Sequence, residues 1–247
     1  MKYRGLHHPG HLGAVQGRTH VLGMTGGETN LVIDDNMYRA AGMITTARKT
    51  NGHYVLNGKK MWITNGTIAK VAVIWAKLSE DIRGFLVGTD NPGFRATPIQ
   101  RKFAYRTAPT ALIDLTDCVI DSANMLPGAS GLKSIFECLN YARYGVASGA
   151  VGSAIACYQA ARAFALERKV FDREIAAYQL VQDRLARMLV EITKGQLINY
   201  HLGRLLDAHQ ARPAQISLAK MNNVQEAIKI ARIARDILGA RGILADH

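Results

Sequence analysis

Short apolar segments separated by turn residues make up the first half of the chain. The segments cover residues 53–56, 60–64, 71–75, 84–87 and 111–120. They are bounded by sequences typical of tight turns, namely Asn51-Gly52, Asn57-Gly58, Asn65-Gly66 and Asn91-Pro92-Gly93. Several short strands at this spacing predict an antiparallel β-sandwich or barrel-like domain.

The second half has the period of amphipathic helices instead. No proline occurs between Gly128 and Arg212, and Pro213 then predicts a junction between two helices. Apolar residues recur at steps of three and four in two stripes: Tyr178, Val181, Leu185, Met188 and Ile192, and Val224, Ala227, Ala231, Ala234 and Leu238. These stripes predict long helices that pack on one face.

A β-rich half followed by a helical half predicts the α+β class and argues against alternating βαβ units. The predicted regions are an irregular N-terminal remnant (1–16), a β middle domain (17–127) and an incomplete helical domain (128–247). Gly145, Gly149 and Gly152 resemble a glycine signature, but no strand precedes them. We therefore predict close helix packing at these glycines rather than phosphate binding.

Composition changes the functional expectations in one respect, the charge. The 247 residues carry a formal net charge of +12, which raises nucleic-acid binding as a hypothesis. The excess is divided evenly between the two halves, and no basic arm or basic-aromatic cluster stands out. We therefore expect no nucleic-acid partner, and a diffusely basic surface that favours an anionic small ligand.

Metal, disulfide and membrane sites are not expected either. Cys118, Cys138 and Cys157 form no CxxC pair, which indicates a reducing compartment. The four histidines near the N-terminus lack accompanying Cys or acidic ligands, so a mobile polar terminus is the favoured interpretation; they are His7, His8, His11 and His20. No apolar run approaches the ~18 residues of a membrane-spanning helix.

Five motifs in order give the chain a family resemblance. They are Lys-Lys-Met-Trp-Ile-Thr-Asn at 59–65, Leu-Asn-Tyr-Ala-Arg-Tyr-Gly at 139–145, Glu-Arg-Lys-Val-Phe at 167–171, Gln179, and Asp-Ile-Leu-Gly-Ala-Arg-Gly at 236–242. Together they resemble the acyl-CoA dehydrogenases, nearest the glutaryl-CoA dehydrogenase branch. The resemblance implies an FAD-dependent enzyme that oxidises the α,β bond of an acyl-CoA thioester, with decarboxylation in the glutaryl branch.

The resemblance also implies which residues contact FAD. An aromatic wall for the flavin is expected at Trp62, and a planar guanidinium for phosphate oxygens at Arg168. The full expected set is Thr25, Trp62, Ile63, Thr64, Arg168, Phe171, Gln179, Asp236, Ile237, Leu238, Gly239 and Ala240. Because family members share FAD between subunits, a homo-oligomer, either a dimer or a tetramer, is implied.

Substrate and partners follow from the same resemblance. Leu139, Asn140 and Arg143 correspond to the helix that lines the acyl-CoA site, although Arg143 could equally brace the helix. An electron-transfer flavoprotein is the implied electron acceptor. The compartment would be the cytoplasm in a bacterium or the mitochondrial matrix in a eukaryote.

The sequence departs from the family in three places. The N-terminal helical domain is expected to be missing, and the loop after Thr25 is altered. The family's catalytic glutamate lies in a Y-E-G-T segment, which is not found here, or on the first long helix, where this chain has Ala142. Glu137 is a weak candidate for a replacement base, so no catalytic residue is assigned. Whether the chain is an active dehydrogenase fragment or a non-catalytic flavin- or acyl-CoA-binding oligomeric scaffold stays open at this point.

Overall fold

The computed structural model describes residues 31–33 and 43–244, which form two compact units divided after Ile135. The first unit is built on a sheet of eight described strands. They are β1 (Leu31–Ile33), β2 (Thr46–Thr50), β3 (His53–Thr64), β4 (Val71–Leu78), β5 (Asp81–Gly88), β6 (Phe94–Pro98), β7 (Thr110–Asp121) and β8 (Met125–Ser130).

Seven of these strands lie in the order β6-β7-β3-β2-β4-β5-β8, and β1 pairs with β4. The pairings β2–β3, β3–β7, β4–β5, β5–β8 and β6–β7 are antiparallel, as predicted. The pairings β1–β4 and β2–β4 are parallel, so the sheet is mixed rather than wholly antiparallel. Alternation of apolar residues cannot separate these two cases, because both ladders place successive side chains on opposite faces.

One predicted turn is instead part of a strand. Asn51-Gly52 does connect β2 to β3, with Gly52 at φ 76°. Asn57-Gly58 lies within β3, where the register with β7 shifts between Leu56 and Gly58. Gly58 has φ 151°, and a Cβ there would lie 2.7 Å from the Cα of Thr45. The glycine is therefore required by close packing at a strand irregularity, not by a hairpin.

The sheet's own side chains form the core of the first unit. Leu56, Ile63, Ile74, Phe85 and Ile113 are all completely or almost completely buried there. The backbone also packs closely at Gly93, where a Cβ would lie 2.4 Å from the Cα of Cys118. Burial raises the pKa of the Cys118 thiol to about 11, so this cysteine is an inert core residue.

Three long helices dominate the second unit. They are α1 (Gly131–Glu167), which begins in the first unit, α2 (Gln179–Asp207) and α3 (Pro213–Leu238). A small hairpin of β9 (Lys169–Val170) and β10 (Arg173–Glu174) connects α1 to α2. The predicted junction at Pro213 is confirmed, because this residue begins α3.

The helix stripes are confirmed with one exception. Met188 and Ile192 of the first stripe are buried, and Val181 and Leu185 pack against them. In the second stripe Ala234 and Leu238 are buried, but Ala231 is exposed and Ile230 takes its place in the core. The true buried face of α3 is therefore rotated by one residue at this turn, because the larger Ile230 side chain fills the space between helices.

The glycine prediction on α1 is wrong for two of its three residues. A Cβ at Gly149 or Gly152 would meet no atom of the described residues within 4 Å. The close helix approach occurs instead on α2. A Cβ at Gly195 would lie 2.9 Å from Val151, and one at Gly203 would lie 2.7 Å from the Tyr144 hydroxyl.

A polar network fixes how the three helices meet. The Asn223 side-chain amide of α3, only 3% exposed, donates to the Ala147 carbonyl of α1 at 3.2 Å and to Asn199 Oδ1 of α2 at 2.8 Å. Because a buried amide requires partners, these bonds favour one register of the helices. Among the described residues, no helix combines the length and apolar character that crossing a membrane requires.

Candidate functional site

Trp62 is placed on the surface by an irregularity of β3. Lys60 pairs with Ile113 and Ile63 with Ala111, so β3 has one residue more than β7 between these pairs. Trp62 lies in this bulge at φ 66°, and its side chain is 54% exposed. A left-handed backbone at a bulky aromatic costs on the order of 1–3 kcal/mol, and such residues concentrate at functional sites. The bulge therefore leaves a flat aromatic surface exposed.

Ile63 and Thr64, which follow Trp62, differ in which of their groups are accessible to a ligand. The Ile63 side chain is completely buried in the sheet core, so only its backbone is available to a ligand. Its carbonyl already accepts the Gly66 N–H at 3.3 Å. Thr64 has an exposed side chain opposite Thr110, so its hydroxyl can bind a polar edge.

Arg168, Phe171 and Gln179 lie on or beside the hairpin between α1 and α2. Phe171 and Asp172 form its two-residue turn with φ values of 51° and 60°, where Asn-Gly would be the usual choice. Phe171 is 88% exposed. The Arg168 and Gln179 side chains are exposed too, so the structure gathers two polar groups and an aromatic ring around one short segment.

Local polar contacts hold this hairpin in place. The Tyr178 hydroxyl donates to the Val170 carbonyl at 2.9 Å, and the Ile175 N–H donates to the Arg168 carbonyl at 2.9 Å. The Lys169 ammonium lies 3.5 Å from the Glu174 carboxylate. A bond from its own backbone N–H, followed by the Lys169 charge, keeps the pKa of Glu174 below its usual range. The hairpin therefore relies on solvent-exposed interactions.

The segment from Asp236 to Ala240 is divided between core and surface. The side chains of Ile237 and Leu238 are buried in the helical core, which leaves only their backbone for ligand contact. Gly239 ends α3 at φ 57°, and its N–H donates to the Asp236 carbonyl. Asp236 and Ala240 are exposed. The structural role of Gly239 as a helix cap is thus observed directly.

The residues predicted to line the substrate helix lie together on α1. Leu139, Asn140 and Arg143 are half-buried, and Arg143 Nη1 lies 3.4 Å from Asn140 Oδ1. Arg143 also borders a shallow cleft against α3, together with Ser217 and Lys220. Ala142 adjoins it in sequence and is half-buried, whereas Glu137 is exposed. Both uses of Arg143, bracing the helix and holding an anion, are compatible with these contacts.

Two predicted features cannot be placed. Thr25 and the four histidines near the N-terminus lie outside the described residues. Within residues 31–33 and 43–244, no group of three His, Cys, Asp or Glu side chains is arranged to hold a metal ion.

Sequence reasoning missed the loop between β6 and β7, residues 99–109. Phe103 is completely exposed and Tyr105 is 78% exposed, and the cations Arg101, Lys102 and Arg106 accompany them. A basic-aromatic cluster is therefore present, contrary to expectation. The sequence Arg-Lys-Phe-Ala-Tyr-Arg at 101–106 indicates this cluster. A count of charges over each half of the chain does not detect it, because the two halves have the same net charge.

Comparison with known proteins covers most of the chain. Residues 35–118 match the family description "Acyl-CoA dehydrogenase, middle domain", and residues 129–247 match "Acyl-CoA dehydrogenase, C-terminal domain". A Dictyostelium discoideum protein described as a probable short/branched chain specific acyl-CoA dehydrogenase is 32% identical over 79% of this chain and 49% of its own length.

Solved structures are also similar, among them two glutaryl-CoA dehydrogenases. A glutaryl-CoA dehydrogenase from Mycobacterium smegmatis superposes with a TM-score of 0.83 at 45% identity, covering 88% of this chain and 57% of that chain. A Mycobacterium smegmatis glutaryl-CoA dehydrogenase in complex with FADH2 gives 0.81 at 47% identity, covering 84% and 54%. The chain spans about half the length of the curated relatives it matches.

Proposed function

This chain belongs to the acyl-CoA dehydrogenase family, and from that membership and the site geometry we propose that it binds FAD and takes part in the α,β-dehydrogenation of an acyl-CoA thioester. The observation that carries the proposal is Trp62, an exposed aromatic held at φ 66° by a strand bulge. Neither the sheet core nor a turn requires a tryptophan there, whereas an exposed aromatic ring can stack as one wall of a flavin site.

The residues present fit FAD. Trp62 and the Thr64 hydroxyl supply a flat surface and a polar group on β3. Arg168 supplies a fork-shaped donor for phosphate oxygens, and Phe171 and Gln179 are exposed on the same segment. Ile63, Ile237 and Leu238 can contribute backbone groups only, because their side chains are buried. In this proposal the hairpin residues serve the FAD of a second subunit, so the working form is a homo-oligomer.

The substrate we propose is an acyl-CoA with the Leu139–Arg143 turn of α1 lining its site. Bound FAD supplies the acceptor for the hydride that leaves the β-carbon of the acyl group. Glutaryl-CoA is our first choice, because two of the similar solved structures that are described as glutaryl-CoA dehydrogenases are 45% and 47% identical to this chain. A basic surface also suits the phosphates of CoA.

The proton acceptor is the weakest part of the site. Abstraction of the α-proton needs a carboxylate, and the position on α1 where some family members carry it is Ala142. This observation favours a second candidate function, a flavin- and acyl-CoA-binding scaffold that does not catalyse. The two functions differ in whether the bound flavin is reduced by substrate.

The test is reduction of bound flavin. The chain is loaded with FAD, freed of excess flavin by gel filtration and mixed anaerobically with glutaryl-CoA or a short straight-chain acyl-CoA, while absorbance near 450 nm is followed. We expect FAD to be retained, and Ala142→Glu to bleach at least ~10²-fold faster than Ala142→Gln, since only the former installs a base.

The outcomes separate the two functions. Retained FAD without bleaching in any variant would support the scaffold and overturn the dehydrogenase proposal. A parent chain that retains no FAD would overturn both, and rapid bleaching by the parent would show that a base other than residue 142 is present.

A further inference from the structure

The half-buried side chain of Lys102 folds back from the β6–β7 loop onto the start of β7. Its ammonium donates to the Ala108 carbonyl at 2.6 Å and to Thr110 Oγ1 at 2.7 Å. The Thr110 hydroxyl donates in turn to the Ala108 carbonyl at 3.2 Å, and Thr110 is only 9% exposed. Two of the three N–H donors of the ammonium are therefore held by oxygens of one short segment.

Both acceptors are neutral oxygens, so neither balances the positive charge of Lys102. In the part of the chain that the structure describes, no carboxylate forms an ion pair with this ammonium. The acidic residues nearest to it in sequence are Asp90 and Asp114, each twelve positions away, and Asp114 pairs with Lys59 at 3.1 Å. A neutral amide donor could make the same hydrogen bonds without drawing a charge away from water. Holding the loop therefore does not explain the charge.

Thr110 connects Lys102 to the end of strand β3. Thr110 pairs with Thr64 across β3 and β7, and the Asn65 N–H donates to the Pro109 carbonyl at 2.6 Å. Directly opposed residues of paired strands have Cβ atoms about 5 Å apart, which places the ammonium within about 10 Å of the Thr64 hydroxyl. In the proposed function, that hydroxyl meets the polar edge of the flavin ring.

A positive charge near the flavin ring acts on the equilibrium between oxidised and reduced FAD. Transfer of a hydride to oxidised FAD brings two electrons and one proton, and so adds one negative charge to the ring. A nearby cation stabilises this added charge, and the stabilisation is larger where burial limits screening by water and salt. Removal of the cation should therefore favour the oxidised form.

We propose that Lys102 raises the reduction potential of FAD bound at the Trp62 and Thr64 site. It does so by holding a positive charge, not balanced by a carboxylate, near the polar edge of the flavin ring. Bound FAD thereby becomes a stronger acceptor for the hydride of the acyl group. The role of Lys102 is electrostatic, and Lys102 transfers neither the hydride nor a proton. The inference rests on the proposed function, because it requires FAD to lie against Trp62 and Thr64.

The test measures the midpoint potential of FAD bound to the full chain, by equilibration with a redox dye. Lys102→Gln and Lys102→Met both remove the charge, and Lys102→Gln keeps an amide donor for the loop. Lys102→Arg keeps the charge. Lys59→Gln is the matched control, because the Lys59 side chain belongs to the same unit but is 72% exposed and paired with Asp114. FAD content is measured by absorbance, and folding is measured by thermal melts.

We expect each neutral variant at residue 102 to lower the equilibrium constant for FAD reduction about tenfold, which for a two-electron couple is a fall of about 30 mV in midpoint potential. Lys102→Arg should restore most of the parent's potential. Lys59→Gln should change the constant by less than about twofold, because an exposed and paired charge is well screened.

The outcomes separate the inference from the proposed function. An unchanged potential in a folded neutral variant that retains FAD would overturn the inference and leave FAD binding intact. Equal shifts in Lys102→Gln and Lys102→Arg would also overturn it, since the hydrogen bonds of the loop and not the charge would then set the potential. A parent chain that retains no FAD would overturn both. A lower potential in the neutral variants without bleaching by an acyl-CoA would support the inference and favour the non-catalytic scaffold.

Discussion

Trp62 and Phe171 show two ways in which one chain displays an aromatic side chain. Both have left-handed backbones, with φ values of 66° and 51°, and both are exposed. Trp62 lies in a twelve-residue strand that pairs along most of its length with β7. Phe171 lies between two strands of two residues each. A packed sheet imposes the first conformation, whereas a few surface contacts maintain the second.

The difference indicates how firmly each region holds a strained backbone conformation. In the sheet unit, close backbone contacts leave the bulge little freedom to relax, so the position of Trp62 should be insensitive to surface changes. At the hairpin, loss of one exposed hydrogen bond should disturb Phe171. Three predictions test this contrast and a fourth concerns the start of α1, in order from the largest effect to the smallest.

The packed sheet should respond most strongly to a single added methyl group. In Gly93→Ala the new Cβ would lie 2.4 Å from the Cα of Cys118, so the β6 and β7 backbones must separate. We expect the free energy of unfolding to fall by about 3 kcal/mol. Gly149→Ala is the matched control, because its Cβ would meet no described atom within 4 Å and alanine favours a helix by about 1 kcal/mol. Similar destabilisation by both changes in denaturant melts would refute the contrast.

Relief of strain at the hairpin should raise stability at the expense of binding. The double change Phe171→Asn with Asp172→Gly gives the turn its preferred sequence, and we expect a gain of about 1 kcal/mol in the free energy of unfolding. Retention of FAD should fall, because an exposed ring is removed. A variant that is less stable than the parent would show that Phe171 is not strained.

The hairpin's polar support should matter less than its turn. Tyr178→Phe removes the hydroxyl that donates to the Val170 carbonyl at 2.9 Å. We expect the unfolding free energy to fall by about 0.5–1 kcal/mol, and FAD retention to fall with it. Tyr200→Phe, on the exposed surface of α2, is the control. If the two variants retain FAD equally, the hairpin does not depend on this bond.

The smallest effect concerns the start of α1. The Ser130 hydroxyl, the first of several contributions, holds the pKa of Asp81 below its usual range. Asp81 also accepts the Gly131 N–H at 3.1 Å and pairs with Arg83 at 2.8 Å. A lowered pKa stabilises the fold above the ordinary Asp value of about 3.9, and this stabilisation disappears as pH falls through the lower folded value. Thermal melts should show Asp81→Asn less stable than the parent at pH 6, with the difference shrinking toward pH 2; a constant difference would contradict this.

Features that repeat regularly along the sequence could be predicted, whereas features that depend on a single contact between distant residues could not. The helix stripe that includes Met188 and Ile192, and the junction at Pro213, follow from periodicity and proline chemistry, and the structure confirms both. Asn57-Gly58 was misassigned as a turn, because the contact that requires Gly58 comes from Thr45, thirteen residues earlier in the chain, and no local pattern around Gly58 reveals it.

The candidate site residues were predicted from motifs that resemble a family, and not from the periodicity of apolar residues. Family resemblance singled out Trp62 and Phe171, but alternation along β3 could not reveal that Met61 and Trp62 are both exposed by a bulge. Nor could it show that the Ile63, Ile237 and Leu238 side chains are buried. The loop at 99–109 was overlooked, since its strain and its full exposure exist only in three dimensions.

The most direct test of the central claim, that the Trp62 bulge presents an aromatic wall to FAD, is the affinity for FAD of Trp62→Asn. Asparagine accepts the left-handed backbone, so the melting temperature should not fall, while the dissociation constant for FAD should rise about tenfold or more. Tyr105→Asn, a second exposed aromatic with a left-handed backbone in the same unit, should bind FAD as the parent does. Unchanged FAD affinity in a folded Trp62→Asn variant would contradict the account.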